Sequence, residues 1–571
     1  MKGQQAFWLL LTVAVSLGFA MRVSRPALNS PLVVHDDVRQ HVFWVPRLHD
    51  PALFAHDWIA DYYESQAPEG YRAVYWLLTL GMDAVQASKL LPLLLTVGLA
   101  VAGFGLGRAI WGRADAAALG TILLAWSAWQ YDDIASATPR AYAMPLLVAQ
   151  LALLAGGRWR WALLVLPLQA LFYPLGCALA VLTMGTWALW RAGQAAPDAT
   201  AGDTVSRGSA VGWRAATLAL VRRAWSDLLW LAAATAVALG LVVAGRLEAA
   251  AYGPMVTAAQ ARAMPEFQQG GRAAYFVANW YQFWLESSRS GFALGPKDPL
   301  FDDLPALVLP FALAVLLGAW MLAGRLRLVR GPAVPGNGLL LLVLLGLSLL
   351  LYAAAHALLY ALYLPARHVQ FSLPIVWALA GGLCWCLLGD RLFGWVRSRS
   401  RVAVGLAGGE LFALAGVALL TLHAPPPGEF YVTGRYPALY AFLRQTPPNT
   451  LVAALPADSN TLPMFGLRPI LTSYEHAIPY QPGYYVPLHE RTEAFRAAYY
   501  APTLAPLAQV IREQRIGVVV ADTTSLERRR RSERERPPAL ARALDRCGVV
   551  RERELVALMA DCLLQAAESE R

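Results

Sequence analysis

Long apolar runs recur along most of the 571 residues, separated by short polar interruptions. A helix rises about 1.5 Å per residue, so about 20 apolar residues match the hydrocarbon core of a bilayer. Eleven runs approach or reach that length: residues 6–24, 88–110, 115–131, 140–156, 159–173, 174–191, 226–246, 305–324, 338–360, 369–389 and 402–422. The pattern predicts a polytopic α-helical membrane protein of about 11 transmembrane helices. Residues 71–85 (YRAVYWLLTLGMDAV) are apolar but short, and Arg72 and Asp83 interrupt them. That combination predicts a helix lying along the interface rather than crossing it. After His423 the segment APPPG breaks the last run and the texture changes. Residues 436–445 and 503–514 read as helices, and 451–455, 469–472 and 516–521 as short buried strands. The chain therefore divides into a transmembrane domain, 1–423, and a small C-terminal α/β domain, 424–571.

Charge orients this layout. The chain is 57% hydrophobic and only 15% charged, against about a quarter charged in a soluble protein. Net charge is +10, and with Lys2, Lys89 and Lys297 as the only lysines, arginine supplies nearly all of the positive charge. If the N-terminus is cytoplasmic, the short inner loops hold Arg108/Arg113, Arg158/Arg160, Arg325/Arg327/Arg330 and Arg391/Arg397/Arg399/Arg401. The short outer loops then hold little more than Arg140 and Arg367. This is the asymmetry of the positive-inside rule. It predicts an inner (cytoplasmic) membrane protein with the N-terminus in and the C-terminal domain extracytoplasmic. Residues 25–87 and 247–304 become outer loops, and the Ala/Gly/Ser-rich segment 192–225 a flexible cytoplasmic linker. The first apolar run is either an uncleaved anchor or a cleaved signal peptide; both leave the next loop outside. Cys177, Cys384 and Cys386 lie in apolar runs and read as packing residues. Cys547 and Cys562 lie in the polar tail, where a disulfide is open to them if the tail is outside. The basic run Arg528–Arg531 reads as a solvated face or as a contact to lipid head groups. Nothing suggests a nucleic-acid partner. A P-loop, a dinucleotide fingerprint and an HExxH motif are all absent, which argues against nucleotide-powered transport and zinc proteolysis.

Polar chemistry concentrates in the outer loops. Acidic pairs occur at Asp36-Asp37, Asp132-Asp133 and Asp302-Asp303. Adjacent carboxylates repel, so one is kept basic enough to take a proton or a cation sits between them. Asp36 and Asp37 follow a span closely and are flanked by His35, Arg39 and His41. A general base at the membrane boundary could reach the hydroxyl of an acceptor. Asp132 and Asp133 are the candidates for holding a divalent cation, although no cofactor is required by the sequence and ordinary loop carboxylates fit as well. Arg140, beside them, could bind phosphate or snorkel to the interface. The short outer turn YALYLPARHVQ holds Arg367 and His368, cations on the side where cations are scarce. A guanidinium can donate two parallel hydrogen bonds to a phosphate. Aromatic residues crowd both large outer segments, where they mark the interface or stack on sugar rings.

This arrangement resembles the GT-C superfamily of integral-membrane glycosyltransferases, including protein O-mannosyltransferases and aminoarabinose transferases of lipid A. In these families one span leads into a large outer loop with an acidic motif near its start, and Asp36-Asp37 stands there. Leu364-Pro365-Ala366-Arg367 looks like the late outer-loop element in which an arginine meets the lipid phosphate. The loop reads HDDVRQH rather than the usual D-E pair followed by tyrosine, and His368 stands where an aromatic residue is commoner. The resemblance implies transfer of a sugar from a polyprenyl-phosphate donor to an acceptor hydroxyl of a lipid, glycan or protein, with inversion. Asp36 or Asp37 would be the base, and Arg367, with His368, Arg140, Arg39 and His41 around it, would bind the lipid phosphate. Membrane lipids are implied partners. The alternatives are a transporter or flippase, which would need polar groups along its spans, and an envelope-assembly scaffold.

Overall fold

The computed structural model describes residues 2–130, 133–194, 210–275, 283–284, 288–291, 315, 336–399, 408–422, 430–532 and 538–570. The apolar runs fold as helices. They include Lys2–Val23, Ala84–Trp111, Ala114–Gln130, Ala143–Ala155, Trp159–Phe172, Gly176–Gln194, Ala210–Arg246, Leu339–Ala357, Leu373–Arg399 and Gly408–Leu422. Among the described residues, five stretches are long and apolar enough to cross a membrane: Gly3–Val23, Ala84–Trp111, Ala224–Arg246, Leu339–Ala357 and Arg367–Gly394. Four shorter apolar helices accompany them, Ala114–Trp129, Pro139–Ala155, Trp159–Phe172 and Gly408–Leu419. The run 305–324 lies outside the described residues.

Helix Ala114–Gln130 lies at the centre, packed against Lys2–Val23, Ala84–Trp111 and Leu373–Arg399. Small residues permit the approach, as they do wherever dispersion has to hold helices together in lipid. A Cβ added at Gly382 would fall 2.6 Å from the backbone nitrogen of Gly120, so these two helices touch backbone to backbone.

Two sequence expectations are corrected. Ala210–Arg246 is one 37-residue helix, so residues 210–225 belong to it and not to a linker. Its start, AVGWRAATLALVRRAW, lacks proline and is rich in helix formers, which outweighs the Ala/Gly texture just before it. Residues 469–472 form no strand; they exchange hydrogen bonds only around Val452, through a single bridge to Ile470. Pro469 has no N–H to donate, which limits the pairing. The segment expected along the interface, 71–85, overlaps helix Glu69–Leu78, which at 10 residues is too short to cross.

Among the described residues, six strands complete the fold. β1, Val33–His35, follows the first helix, and β2, Tyr431–Thr433, opens the C-terminal unit; they pair antiparallel. β3, Leu451–Ala453, β4, Ile516–Asp522, β5, Gly548–Glu552, and β6, Leu555–Met559, form one sheet in the order β3-β4-β6-β5. β3 and β4 run parallel; the other neighbours are antiparallel. Side chains alternate across a strand, so β4 serves two cores. Val519 and Ala521 pack with Phe495, Leu507, Leu540 and Leu563 from the covering helices. Val518 and Val520 share a core with Val38, Trp44, Tyr62 and Tyr71 of the loop between the first apolar helix and Ala84–Trp111. The sheet therefore rests directly on that loop. Cys547 and Cys562 form a disulfide that closes 15 residues of the unit.

Candidate active site

The HDDVRQH segment folds as a short helix, Asp36–His41, directly after β1. His35 caps it, its Nδ1 accepting from the Asp37 N–H at 3.2 Å. The Asp36 N–H donates to the Phe430 carbonyl at 2.7 Å, extending the β1–β2 pairing into the start of the helix. The backbone of the acidic pair is thereby fixed from the C-terminal unit.

The two carboxylates have different partners. Asp36 pairs with Arg39 on the next turn, and Arg39 lies 3.7 Å from Glu475. Asp37 pairs with Arg140, from the 3₁₀ turn Pro139–Tyr142 at the head of an apolar helix. Burial works against the charge of Asp37, but Arg140, then His35, His41 and Arg367, outweigh it and hold the carboxyl well below the usual range. His41 is pushed down to about 4, first by burial, with Asp37 opposing and Arg140 and Arg367 adding to the effect. At neutral pH the cluster is an ionised Asp37, a neutral imidazole and two guanidinium groups.

Arg367 reaches this cluster from the late turn. Its Nη1 donates to Gln370 Oε1 at 2.8 Å, and among the described residues it makes no ion pair. His368, next to it, is buried and turned inward, with Nε2 3.1 Å from the Leu362 carbonyl. It braces the turn. Asp133 is buried and accepts from Gln370 Nε2, which ties the second acidic motif to the same turn. Tyr173 lies within the electrostatic reach of Arg367, Arg140 and Asp133. Asp132, the Asp302-Asp303 pair and the aromatic residues Phe276, Trp280 and Tyr281 lie outside the described residues. Among the described residues, no group of three or more His, Cys, Asp or Glu side chains is placed to hold a metal ion.

A second set of residues, not foreseen from the sequence, clamps helix Asp36–His41. Gln40 Nε2 donates to Tyr63 Oη at 2.7 Å and to the Glu475 carbonyl at 2.6 Å. Arg272, from the segment after helix Ala210–Arg246, donates to Glu475 Oε2 at 2.6 Å and to the Tyr474 carbonyl at 3.2 Å. Glu475 thus joins helix Asp36–His41, the segment holding Arg272 and the C-terminal unit. No local motif marks it, because its partners lie 436 and 203 positions away along the chain (475 − 39 and 475 − 272).

Comparison by sequence finds no matching family model and no matching curated protein. Comparison by structure does find relatives. ArnT from Cupriavidus metallidurans, in the apo state, superposes with a TM-score of 0.52 at 15% identity, over 98% of this chain and 99% of that one. The apo Archaeoglobus fulgidus oligosaccharyltransferase superposes with a TM-score of 0.50 at 12% identity, over 90% of this chain and 70% of that one. Both are GT-C glycosyltransferases. The fold is that of the GT-C membrane glycosyltransferases.

Proposed function

We propose that the protein is a membrane glycosyltransferase that moves a sugar from a polyprenyl-phosphate donor to an acceptor hydroxyl on the outer face of the cytoplasmic membrane. The observation that carries this reading is the convergence of Asp37, Arg140 and Arg367 on one cluster from three distant segments. Two guanidinium groups beside a carboxylate suit a lipid phosphate next to a proton acceptor.

The ground-state pairing bears on the mechanism. A carboxylate held far below its ordinary pKa is a weak base, and Arg140 is its main partner. An incoming phosphate competes for Arg140 and Arg367. As it takes them, Asp37 loses its counter-charge and becomes a better base. The acceptor O–H then gives its proton to Asp37 while its oxygen attacks the anomeric carbon. The bond from that carbon to the phosphate oxygen breaks, and the electron pair leaves on the lipid phosphate. The departing phosphate gains charge in the transition state, where Arg140 and Arg367 stabilise it.

The test is a binding titration of the full-length protein in detergent against polyprenyl phosphate, for wild type and Arg367→Ala. Saturable binding that the substitution weakens at least tenfold is the expected result; no binding under any pH or divalent-cation condition overturns the reading. Asp37→Asn is expected to keep binding and abolish transfer, with the protein still folded.

A further inference from the structure

A cavity of about 1080 Å³ lies away from the Asp37 cluster, between the first outer loop, the start of helix Ala84–Trp111 and the C-terminal unit. It is partly open and above the roughly 300–1,000 Å³ of ordinary small-molecule pockets. Its lining is largely apolar. Leu90 and Leu93 contribute from the first turns of the candidate span, and Met464 and Phe465 from the C-terminal unit.

Two cations line this apolar hollow. Lys89 donates to the Ser30 carbonyl at 2.7 Å, and Arg444 Nε donates to the Phe465 carbonyl at 2.7 Å. Among the described residues neither makes an ion pair. Asp83 also lines the cavity, but its carboxylate caps helix Ala84–Trp111 through the Gln86 N–H at 2.8 Å. Arg468 adds a further positive charge behind Arg444, with Nη2 2.7 Å from the Arg444 carbonyl. An apolar wall that continues onto a membrane helix, under two cations, with Asp83 reaching Lys89 only from beyond ion-pair distance, is complementary to an anionic amphiphile.

We propose that this cavity holds one acidic bilayer phospholipid, its phosphate shared by Lys89 and Arg444 and its chains running along Leu90 and Leu93. The two cations belong to different parts of the molecule, a membrane helix and helix Pro437–Gln445 of the C-terminal unit. The lipid therefore pins the C-terminal unit to the bilayer surface beside the catalytic loop, whose residues Val42 and Phe43 also line the cavity. The proposal is independent of the reaction catalysed.

The experiment is native mass spectrometry of the full chain released from nanodiscs of mixed phosphatidylglycerol and phosphatidylcholine. Wild type is expected to retain one phosphatidylglycerol, and Lys89→Gln with Arg444→Gln to lose it at least tenfold. Arg444→Gln alone, at an exposed position, guards against misfolding of the double variant and is expected to give an intermediate loss. Added phosphatidylglycerol is expected to raise the Tm of wild type and not that of the double variant. Equal retention in the double variant, equal retention of phosphatidylcholine, or displacement by undecaprenyl phosphate in preference to phosphatidylglycerol would each overturn the proposal.

Discussion

At the scale of single residues, burial and charge set opposite states for neighbouring carboxylates of one loop. Asp37 is buried but held ionised by Arg140. Asp57 is buried with weaker compensation and is pushed up from 3.8 to about 7. Burial is the main cause; the hydrogen bond from the Ala60 N–H, at 2.8 Å, opposes it, and Asp61 adds to it. Linkage fixes the sign. A carboxyl whose folded pKa exceeds its unfolded value binds its proton more tightly when folded. The stability it contributes is full below pH 3.8 and is lost as pH rises through about 7. Asn keeps the capping oxygen without the titration. Asp57→Asn is therefore expected to leave Tm near wild type at about pH 4 and to raise it increasingly up to about pH 7, with no further gain above that. Thermal scans across this range check it, and a constant difference would refute the assignment. Sequence alone could nominate Asp36, Asp37, Arg140 and Arg367, since charges beside apolar runs stand out. It could not tell Asp36 from Asp37, because adjacent residues on one helix turn acquire different partners only through tertiary contacts. His368 shows the same limit: adjacent to Arg367 in sequence, it is buried with its Nε2 against the Leu362 carbonyl.

At the scale of elements, the short helix Asp36–His41 is too small to hold its own orientation. An isolated helix of six residues is unstable in water. Its position comes from β1 pairing with β2, from Gln40 and Tyr63, and from the Glu475 carboxylate that binds Arg272 and approaches Arg39. Burial pushes the Glu475 carboxyl upward, and Arg272 and Arg39 oppose that shift. Glu475 is a positioning residue in this arrangement. A shift of about 1 Å in a catalytic group can cost about a hundredfold in rate. Glu475→Gln is expected to lower kcat of transfer by about ten- to a hundredfold while the KM for the donor changes less than about threefold, and Glu475→Asp to recover part of the loss. A change confined to KM would instead place Glu475 on the substrate. The helices and the strand at 516–521 were legible because their periodicity is local. The β1–β2 ladder was not, since each strand has three residues and they lie almost 400 positions apart. Strands β5 and β6 were likewise hidden, because Arg551, Glu552, Arg553 and Glu554 interrupt the apolar pattern around their turn.

At the scale of the whole molecule, the likeness to the GT-C fold was readable from the order of apolar runs together with the Asp36-Asp37 and Leu364–Arg367 segments, although the solved structures of similar fold are only 12–15% identical. Hydropathy survives divergence because any apolar side chain satisfies lipid, whereas contact pairs do not. Sidedness is the remaining global property, and three independent features bear on it. Arginines gather in the loops assigned to the inside. The Cys547–Cys562 disulfide belongs to an oxidising compartment. The Asp37 cluster and the C-terminal unit share one core, so they occupy one side of the membrane. The proposed topology puts the C-terminal unit outside and the turn at Arg158 and Arg160 inside. Ser532 and Arg160 are both exposed, and the three free cysteines are buried or partly so. In sealed right-side-out vesicles, a membrane-impermeant maleimide is expected to label Ser532→Cys at once and Arg160→Cys only after permeabilisation. The reverse order would put the Asp37 cluster in the cytoplasm, where the positive-inside asymmetry would be inverted and the disulfide exposed to reduction. It would also exclude a donor presented from the outer leaflet, so this measurement constrains the chemistry as well as the topology.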